Sequence, residues 1–305
     1  MNPDKININL KGTLTGHQNP IFTLAISELH PEILFTGGND KGVVQWDLKT
    51  MSFQRILCKV SSSVYSLLTI PGTSLLAIGM RSGQVLVVDT VDQVLKANLK
   101  VDSGAVFSIK TIPGKKEMIA IGEEGYAYVW SLESFEMLYR FKVSTTTVRV
   151  IEPNSAGTII AFGDKNGEIH LFDANDFHEI CSKKIHSQSV TSLQFDSQDQ
   201  LLSGGRDAKL VKSDLDLKQI QEIVPHMFTV YGIEQGNPNQ LVATVSRDKT
   251  LKIWRAEDLT LVKNISRDRA FVSHYLSINA MLWFQNQIFT VSDDKTVKIW
   301  SVDLE

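Results

Sequence analysis

The sequence has little of what usually marks a secreted, metal-binding or membrane-anchored protein. Its 305 residues include only two cysteines, Cys58 and Cys181. Two are too few for a disulfide framework, and these two are too far apart for a metal-binding motif, so we expect free thiols. The segment 1–12 is too polar for a secretory signal, and no apolar run is long enough to span a bilayer. These absences favour a cytoplasmic protein that does not insert into a membrane.

An excess of charge of either sign is also absent. Lysine and arginine total 31 against 34 aspartates and glutamates, for a net charge of −3. A chain this balanced creates no global field that would attract a nucleic acid or an anionic membrane. We therefore expect no nucleic-acid partner, and electrostatic recognition, where it occurs, has to come from a local patch.

What the sequence does contain is a repeat that covers the whole chain. The stretch 40–46 recurs at 248–254 and 294–300, with weaker copies between them. The tryptophan position recurs every 41 to 46 residues, at Trp46, Val88, Trp130, Phe172, Ser213, Trp254 and Trp300. Each period holds four short apolar runs separated by turn residues, which is typical of β-strands. Sheets of such short strands bury both faces only when they pack radially against one another.

Three repeats share a fuller polar pattern: a histidine before the first strand, a threonine in the second, an aspartate in the next turn and a tryptophan in the third. The residues are His17, Thr36, Asp40 and Trp46; His226, Thr244, Asp248 and Trp254; and His274, Thr290, Asp294 and Trp300. This pattern resembles the WD-repeat family along essentially the whole chain. The resemblance implies an all-β, seven-bladed β-propeller of four-stranded antiparallel blades. It also implies that in each set the aspartate accepts from the histidine, the histidine bonds the hydroxyl and the hydroxyl meets the indole.

We predict one WD-repeat domain over residues 1–305, with blades that end near residues 58, 98, 141, 184, 224 and 266. The last repeat, 267–305, supplies only three strands, whereas the run 6–14 has β character and precedes the first blade. We expect 6–14 to be the missing outer strand of the last blade. This closure of the ring would remove an exposed sheet edge, and we expect a monomer.

The fifth repeat could be mistaken for a hydrolase because it combines His186, Ser203 and Asp207. The same residue types stand at the same positions in repeats one, six and seven, however, which an active site does not require. We interpret these sets as buried structural networks. Ser213 replaces the tryptophan of the fifth repeat, and repeats two to four lack the histidine, so we expect those three blades to depend more on apolar packing.

Other candidate sites are weak. The glycine-rich stretch 37–42 leads into a strand, whereas a phosphate-binding loop needs a helix N-terminus there. The stretch 164–168 is faintly similar to a calcium loop, but Asn175 stands where such a loop has its last glutamate. His170 and His178 flank a turn and match no ligand spacing. We predict no catalytic residue, no metal and no cofactor, and therefore a protein that is not an enzyme.

In WD-repeat proteins the usual partner face is the narrower top, formed by the loops that lead into each first strand and by the turns between the second and third strands. Just inside the first strands the sequence has Phe22, Tyr65, Phe107, Arg149, Thr191, Tyr231 and, less clearly, Ala280. Just before the turn acid it has Asn39, Arg81, Glu123, Lys165, Arg206, Arg247 and Asp293. Aromatic residues and arginine are enriched at binding hot spots.

We therefore predict a non-enzymatic interaction scaffold that binds a protein or peptide partner, acidic or phosphorylated, on this face. The predicted contacts are Phe22, Tyr65, Phe107, Arg149, Tyr231, Arg81, Lys165, Arg206 and Arg247. The alternatives are that the aromatic residues only plug the channel and that the basic residues are merely solvated. The loop 266–277, with Arg267, Arg269, Phe271 and Tyr275, is a second candidate contact. The rival function is a propeller enzyme or small-molecule binder that uses the central channel.

Overall fold

The four β-like runs of each repeat form the four antiparallel strands of one sheet. The computed structural model describes residues 6–236 and 240–304, and seven such sheets account for its strands. Blades one and two contain β2 (Ile21–Ile26), β3 (Ile33–Gly38), β4 (Gly42–Asp47) and β5 (Ser52–Lys59), then β6 (Val64–Thr69), β7 (Leu75–Met80), β8 (Gln84–Asp89) and β9 (Val94–Lys100). Blades three and four contain β10 (Ser108–Thr111), β11 (Glu117–Ile121), β12 (Tyr126–Ser131) and β13 (Met137–Lys142), then β14 (Val148–Pro153), β15 (Ile159–Asp164), β16 (Glu168–Asp173) and β17 (Glu179–Lys184).

The remaining blades follow the same order. Blades five and six contain β18 (Val190–Phe195), β19 (Leu201–Gly205), β20 (Leu210–Ser213) and β21 (Gln219–Ile223), then β22 (Val230–Gln235), β23 (Leu241–Ser246), β24 (Leu251–Arg255) and β25 (Leu261–Ile265). Blade seven contains β26 (Ile278–Phe284), β27 (Gln287–Ser292), β28 (Thr296–Leu304) and β1 (Ile6–Thr15). One short 3-10 helix, Arg267–Arg269, lies in the loop that leads into blade seven. Within the described ranges, no helix is long and apolar enough to cross a bilayer.

The first strands of the blades form a closed circle. Each of β2, β6, β10, β14, β18, β22 and β26 contacts the first strand of the next blade, and β26 contacts β2. The chain is thus a seven-bladed propeller, as the sequence predicts.

Burial follows the radial position of each strand. The second strand of blade three, β11, is buried at four of its five residues, whereas the outer strand β13 is mostly exposed. Middle strands are covered on both faces by neighbouring blades, so they are almost continuously apolar instead of alternating. The core accordingly lies between blades: Leu241 and Ile253 of blade six pack in one cluster with Ile278 and Trp300 of blade seven.

The N-terminal strand closes the ring, and this prediction is confirmed. β1 pairs antiparallel with β28, from Ile6 opposite Leu304 to Thr15 opposite Thr296. A bulge between Leu10 and Gly12 shifts the register. The strand alternates as a half-buried edge should, with Ile6 and Ile8 buried between exposed asparagines, so its apolar face adds to the core of the last blade.

Candidate functional site

The polar sets of blades one, six and seven form complete chains of hydrogen bonds. In blade one His17 Nδ1 lies 2.6 Å from Asp40 Oδ2, and Thr36 Oγ1 lies 2.7 Å from both His17 Nε2 and Trp46 Nε1. The corresponding distances are 3.0, 2.8 and 2.8 Å for His226, Thr244, Asp248 and Trp254. They are 2.8, 2.9 and 3.2 Å for His274, Thr290, Asp294 and Trp300.

Blade five has the same chain without its last member. His186 lies 3.0 Å from Asp207 Oδ1 and 2.9 Å from Ser203 Oγ. Ser213, which stands in the tryptophan position, has a buried hydroxyl with no hydrogen-bond partner.

These sets are unsuited to catalysis because their hydroxyls are inaccessible. The hydroxyl-bearing residues of all four sets are fully buried, so no substrate can reach a nucleophile there. Burial lowers the pKa of the His226 and His274 rings, although their aspartates oppose the shift. Burial alone would raise the pKa of Asp294, but the hydrogen bond from His274 prevails and lowers it to about 2. A neutral imidazole that donates to a carboxylate fixes the turn between the second and third strands.

Blade four has the apolar packing expected of it, because Phe162 and Phe172 stand at the threonine and tryptophan positions and meet at 5.3 Å, but it also contains a polar cluster. Ser144 takes the place of the missing histidine and donates to Asp164 Oδ2 at 2.8 Å, and His170 Nε2 lies 3.6 Å from the same oxygen. All three residues are buried. The blade therefore has its own polar cluster, built from positions that differ from those of the other blades. The alignment of the family's positions did not reveal this cluster.

The inner-strand residues form a row across the mouth of the channel. Phe22 and Tyr65 meet edge to face at 5.6 Å, Tyr65 stacks on Phe107 at 5.8 Å, and the Arg149 guanidinium lies 4.9 Å from the Phe107 ring. A cavity of about 740 Å³ opens here, and its lining includes Phe22, Tyr65, Phe107, Arg149, Thr191, Tyr231, Arg247 and Asn279.

In blade seven the residue equivalent to Phe22 is Asn279, which corrects the assignment of Ala280. Ile21 pairs with Gly38 and Ile278 with Ser292 before the bulge in each first strand, so the next residue along is the equivalent one. The sequence marks this register, because Asn279 lies five residues after His274 as Phe22 lies five residues after His17.

A second cavity, of about 490 Å³, adjoins the channel mouth over blades four to six and is strongly basic. We call it the basic pocket. Its lining includes Arg149, Lys165, Lys184, Arg206, Arg247, Tyr231, Asn166, Gln188, Thr191 and the serines and threonine of the leading loops, Ser187, Ser189 and Thr229. No aspartate or glutamate lines it, and none of the five cations forms an ion pair with a carboxylate within residues 6–236 and 240–304. The pocket thus concentrates unneutralised positive charge in a chain of net charge −3.

The repeat itself places three of these cations at one level. The backbone N–H groups of Lys165, Arg206 and Arg247 donate to carbonyl oxygens of the loops that lead into their own blades, Thr147 O, Ser189 O and Thr229 O. The same type of bond recurs in other blades, for example from Arg81 to Ser63 O. Side chains at this position therefore stand side by side on the top face.

The turn beside Lys165 is packed tightly against the next blade. Gly167 has φ +88°, and a Cβ there would lie 2.1 Å from the His186 carbonyl oxygen. The Gly167 carbonyl in turn accepts from the N–H groups of Ile185 and His186. Only glycine fits this position, so it fixes the blade-four wall of the pocket against blade five.

Of the nine predicted contacts, the structure brings together eight in the two adjoining cavities. Arg81 is exposed but lines neither. Lys184, at the end of an outer strand, was missed because only first strands and turns were aligned. Its signal is a basic residue two positions before His186.

A third cavity, of about 500 Å³, flanks the basic pocket at blades six and seven, and we call it the groove. Its lining combines the large side chains of Met227, Phe228 and Tyr275 with polar and charged residues: Arg247, Asp248, Lys249, Thr250, Ser266, Arg267, Asp268 and His274. Met227 is 81% exposed, and Phe228 and Tyr275 are each 52% exposed. Met227 and Phe228 were missed in the sequence, although apolar residues follow His226 where His17 and His186 are followed by polar ones. Phe271, predicted as a contact in the loop 266–277, instead packs against the core.

The channel also holds charged residues that the sequence reasoning missed. Lys110 Nζ lies 2.6 Å from Glu152 Oε2, and Gln194 Nε2 lies 3.4 Å from Glu152 Oε1. Glu234 lies on β22, the first strand of blade six. Burial and the nearby Glu152 raise the pKa of Glu234 to about 8, while Lys110 opposes the shift. Charged side chains therefore share the inner strands with the aromatic and hydroxyl-bearing residues of the channel mouth.

Two groups of potential metal ligands occur among the described residues, both in blade four. Asp164, Glu168 and His170 form one, and Asp173, Asp176 and His178 form the other. In each, one ligand atom per residue lies within 4.8 Å of the others. The first group is largely buried, and the second is mostly exposed.

Comparison with known families agrees with this architecture. The sequence model of the family described as "WD domain, G-beta repeat" matches residues 8–47, 179–211, 217–255 and 267–301. The matched segments include all four blades in which the histidine before the first strand pairs with the turn aspartate.

Individual relatives are distant. WD repeat-containing protein srw1 of Schizosaccharomyces pombe is 26% identical over 179 residues, which are 57% of this chain and 31% of that protein. WD repeat-containing protein 91 homolog of Dictyostelium discoideum is 27% identical over 131 residues, 40% of this chain and 17% of that protein. Actin-interacting protein 1 of Drosophila melanogaster is 23% identical over 271 residues, 84% of this chain and 43% of that protein. The chain spans less than half the length of each.

Proposed function

Because this chain belongs to the WD-repeat family, we propose that it is a non-enzymatic scaffold whose top face binds an acidic or phosphorylated protein segment. The observation that carries the proposal is the basic pocket, where five cations converge and no carboxylate neutralises them. Fold alone does not assign a function, so the proposed binding function depends on this surface.

The residue types suit a phosphate or a carboxylate. Three of the five cations are arginines, whose planar guanidinium groups form paired hydrogen bonds with such anions. A phosphorylated side chain adds about −2 charges and three acceptor oxygens. The leading-loop hydroxyls of Ser187, Ser189 and Thr229 add neutral hydrogen-bonding groups to the lining.

The exposed Met227, Phe228 and Tyr275 of the groove supply the second half of the surface. Arg247 lines both the basic pocket and the groove, so one extended segment can contact both. The aromatic row at the channel mouth is mostly engaged in its own stacking, whereas Met227, Phe228 and Tyr275 are exposed. We therefore place the apolar anchor of the ligand beside Arg247 in the groove.

The relatives support a protein as the partner. The Drosophila relative is named Actin-interacting protein 1, and actin is a protein. We extend only the class of ligand to this chain. The cytoplasmic location and the monomeric state inferred from the sequence remain predictions.

The test is a quantitative pull-down from cell lysate with the wild-type protein and an Arg149→Glu, Tyr231→Ala double variant. Both side chains line the basic pocket and the channel mouth. We expect the partners of the wild type to be lost from the double variant, while circular dichroism and melting temperature stay unchanged.

The matched control changes one charge and one apolar residue away from the top face. Lys183 and Leu95 are exposed on the outer strands β17 and β9. The Lys183→Glu, Leu95→Ala double variant should therefore retain the partners of the wild type. Partners that bind the double variant as well as the wild type would refute the site. Loss of binding after nuclease treatment would instead indicate a nucleic acid, and phosphatase treatment of the partner tests the phosphate.

A second candidate function is favoured by the charged cluster in the channel. Lys110, Glu152 and Glu234 converge there, and the Lys110 side chain is 41% exposed. A small polar ligand could pair with these groups. Thermal-shift screening with small polar compounds tests this function: a stabilising compound should lose its effect in Glu152→Gln.

A further inference from the structure

Among the residues that the structure describes, a cluster of three ligand-type side chains around a buried histidine is found in blade four and not in the other blades. His170 occupies the strand position that Val44, Leu86, Tyr128, Val211, Lys252 and Lys298 occupy elsewhere, as the pairing of second and third strands shows. Asp164 is the last residue of β15, and Glu168 opens β16. Three ligand-type side chains therefore meet across a single turn.

One ring nitrogen of His170 faces the interior of this cluster and has no hydrogen-bond partner. Its side chain is only 7% exposed, and its Nε2 atom is buried without a hydrogen-bond partner. That nitrogen faces Asp164 Oδ2 at 3.6 Å, which is too long for a hydrogen bond. A buried polar atom without a partner is rare in native proteins and calls for an explanation.

The separation suits two ligands of one ion. Zinc binds nitrogen and oxygen at about 2.0–2.2 Å in a tetrahedral arrangement, so its donor atoms lie about 3.3–3.6 Å apart. The Nε2–Oδ2 distance falls at the upper end of this range. The Glu168 carboxylate is within 4.8 Å of the other two donors, on a partly exposed side chain that can turn toward them.

The surroundings hold the ligands in place. Glu179 Oε1 lies 3.1 Å from His170 Nδ1, which leaves Nε2 free to coordinate. A carboxylate behind a histidine in this way is the usual outer-shell partner of a metal ligand. Asp164 is held by Ser144 and by the backbone N–H groups of Asn166 and Glu168.

We propose that blade four binds one divalent transition-metal ion of the zinc class through His170 Nε2, the Asp164 carboxylate and the Glu168 carboxylate. One imidazole with two carboxylates suits zinc or cobalt better than calcium or magnesium, which prefer oxygen ligands alone. Three protein ligands leave a position open on a four-coordinate ion. The site lies on the turn whose residues Lys165 and Asn166 line the basic pocket, but it does not depend on the proposed function.

The test uses the full chain, without an affinity tag, after treatment with a chelator. Isothermal titration with Zn²⁺ should give one site per chain, and Co²⁺ should give the visible absorption bands of a four-coordinate complex. His170→Gln should weaken Zn²⁺ binding by more than about 100-fold and abolish the bands, and Glu179→Gln should weaken it by about 10- to 100-fold. Zn²⁺ should raise the melting temperature of the wild type but not of His170→Gln.

The exposed group on the same blade provides the matched control. His178 and Asp176 are 60% and 69% exposed, so His178→Gln should leave binding intact. No saturable binding by the wild type, equal binding by His170→Gln, or loss of binding in His178→Gln alone would overturn the proposal. A His170→Gln variant that is folded by circular dichroism but binds no Zn²⁺ supports it.

Discussion

Replacement of Asp294 by alanine tests the structural role of the histidine–aspartate pairs. One carboxylate oxygen accepts from His274 Nδ1 at 2.8 Å, and the other accepts from the Thr296 backbone and hydroxyl at 3.1 and 2.6 Å. The two side chains of the His274–Asp294 pair are 0% and 1% exposed. Alanine would leave the ring N–H with only the Thr296 hydroxyl, 3.2 Å away, as an acceptor, in a place where water cannot replace the carboxylate. Such a group costs about 1–3 kcal/mol, so we expect the free energy of unfolding to fall by that amount.

The exposed pair of blade four is the matched control. Asp176 Oδ1 lies 2.5 Å from His178 Nδ1. This pair joins the same two chemical groups as the His274–Asp294 pair, but it is in contact with solvent. We expect Asp176→Ala to change stability by less than about 0.5 kcal/mol. Urea unfolding followed by tryptophan fluorescence measures both variants. Equal effects of the two substitutions, or an unchanged Asp294→Ala, would refute the reasoning.

Two further predictions concern the ring and its buried histidines. Deletion of residues 1–14 should remove most of the cooperative thermal unfolding transition. Burying each of Ile6 and Ile8 contributes about 1.5–3 kcal/mol, and the strand also closes the sheet of blade seven. A truncated protein that melts like the wild type would contradict the closure. In a Glu234→Gln variant, stability should fall as the pH drops from 7 to 5, because His226 and His274 have lowered pKa values and bind protons more readily when unfolded. In the wild type the raised pKa values of Glu234 and His170 offset part of this loss. Chemical denaturation at several pH values measures this, and stability that rises over this range would argue against neutral buried rings.

The fold could be read from the sequence because its signals are local and repeated. The turn and the tryptophan position return at nearly constant spacing, so the blades and the closing strand β1 follow from counting. The register of the first strands is also marked by spacing: Phe22 lies five residues after His17, and Asn279 lies five residues after His274. A one-residue shift exchanges the faces of a strand, so the choice of Ala280 put the wrong side chain at the channel mouth.

The candidate site was only partly predictable. Cations at aligned turn positions, such as Arg206, follow from the repeat. Lys184 reaches the same pocket from an outer strand, and His170 meets Asp164 across a turn specific to blade four. Such residues converge through packing between or within blades, which an alignment of repeats does not encode.

The most direct test of the account is hydrogen exchange, followed by mass spectrometry, on the protein with and without the partner recovered by pull-down. We expect the partner to slow amide exchange in the top-face segments that surround the basic pocket and the groove, at 143–149, 186–191 and 226–231. Exchange in the outer strands should stay unchanged. Protection confined to outer strands, or to the opposite face of the ring, would contradict it.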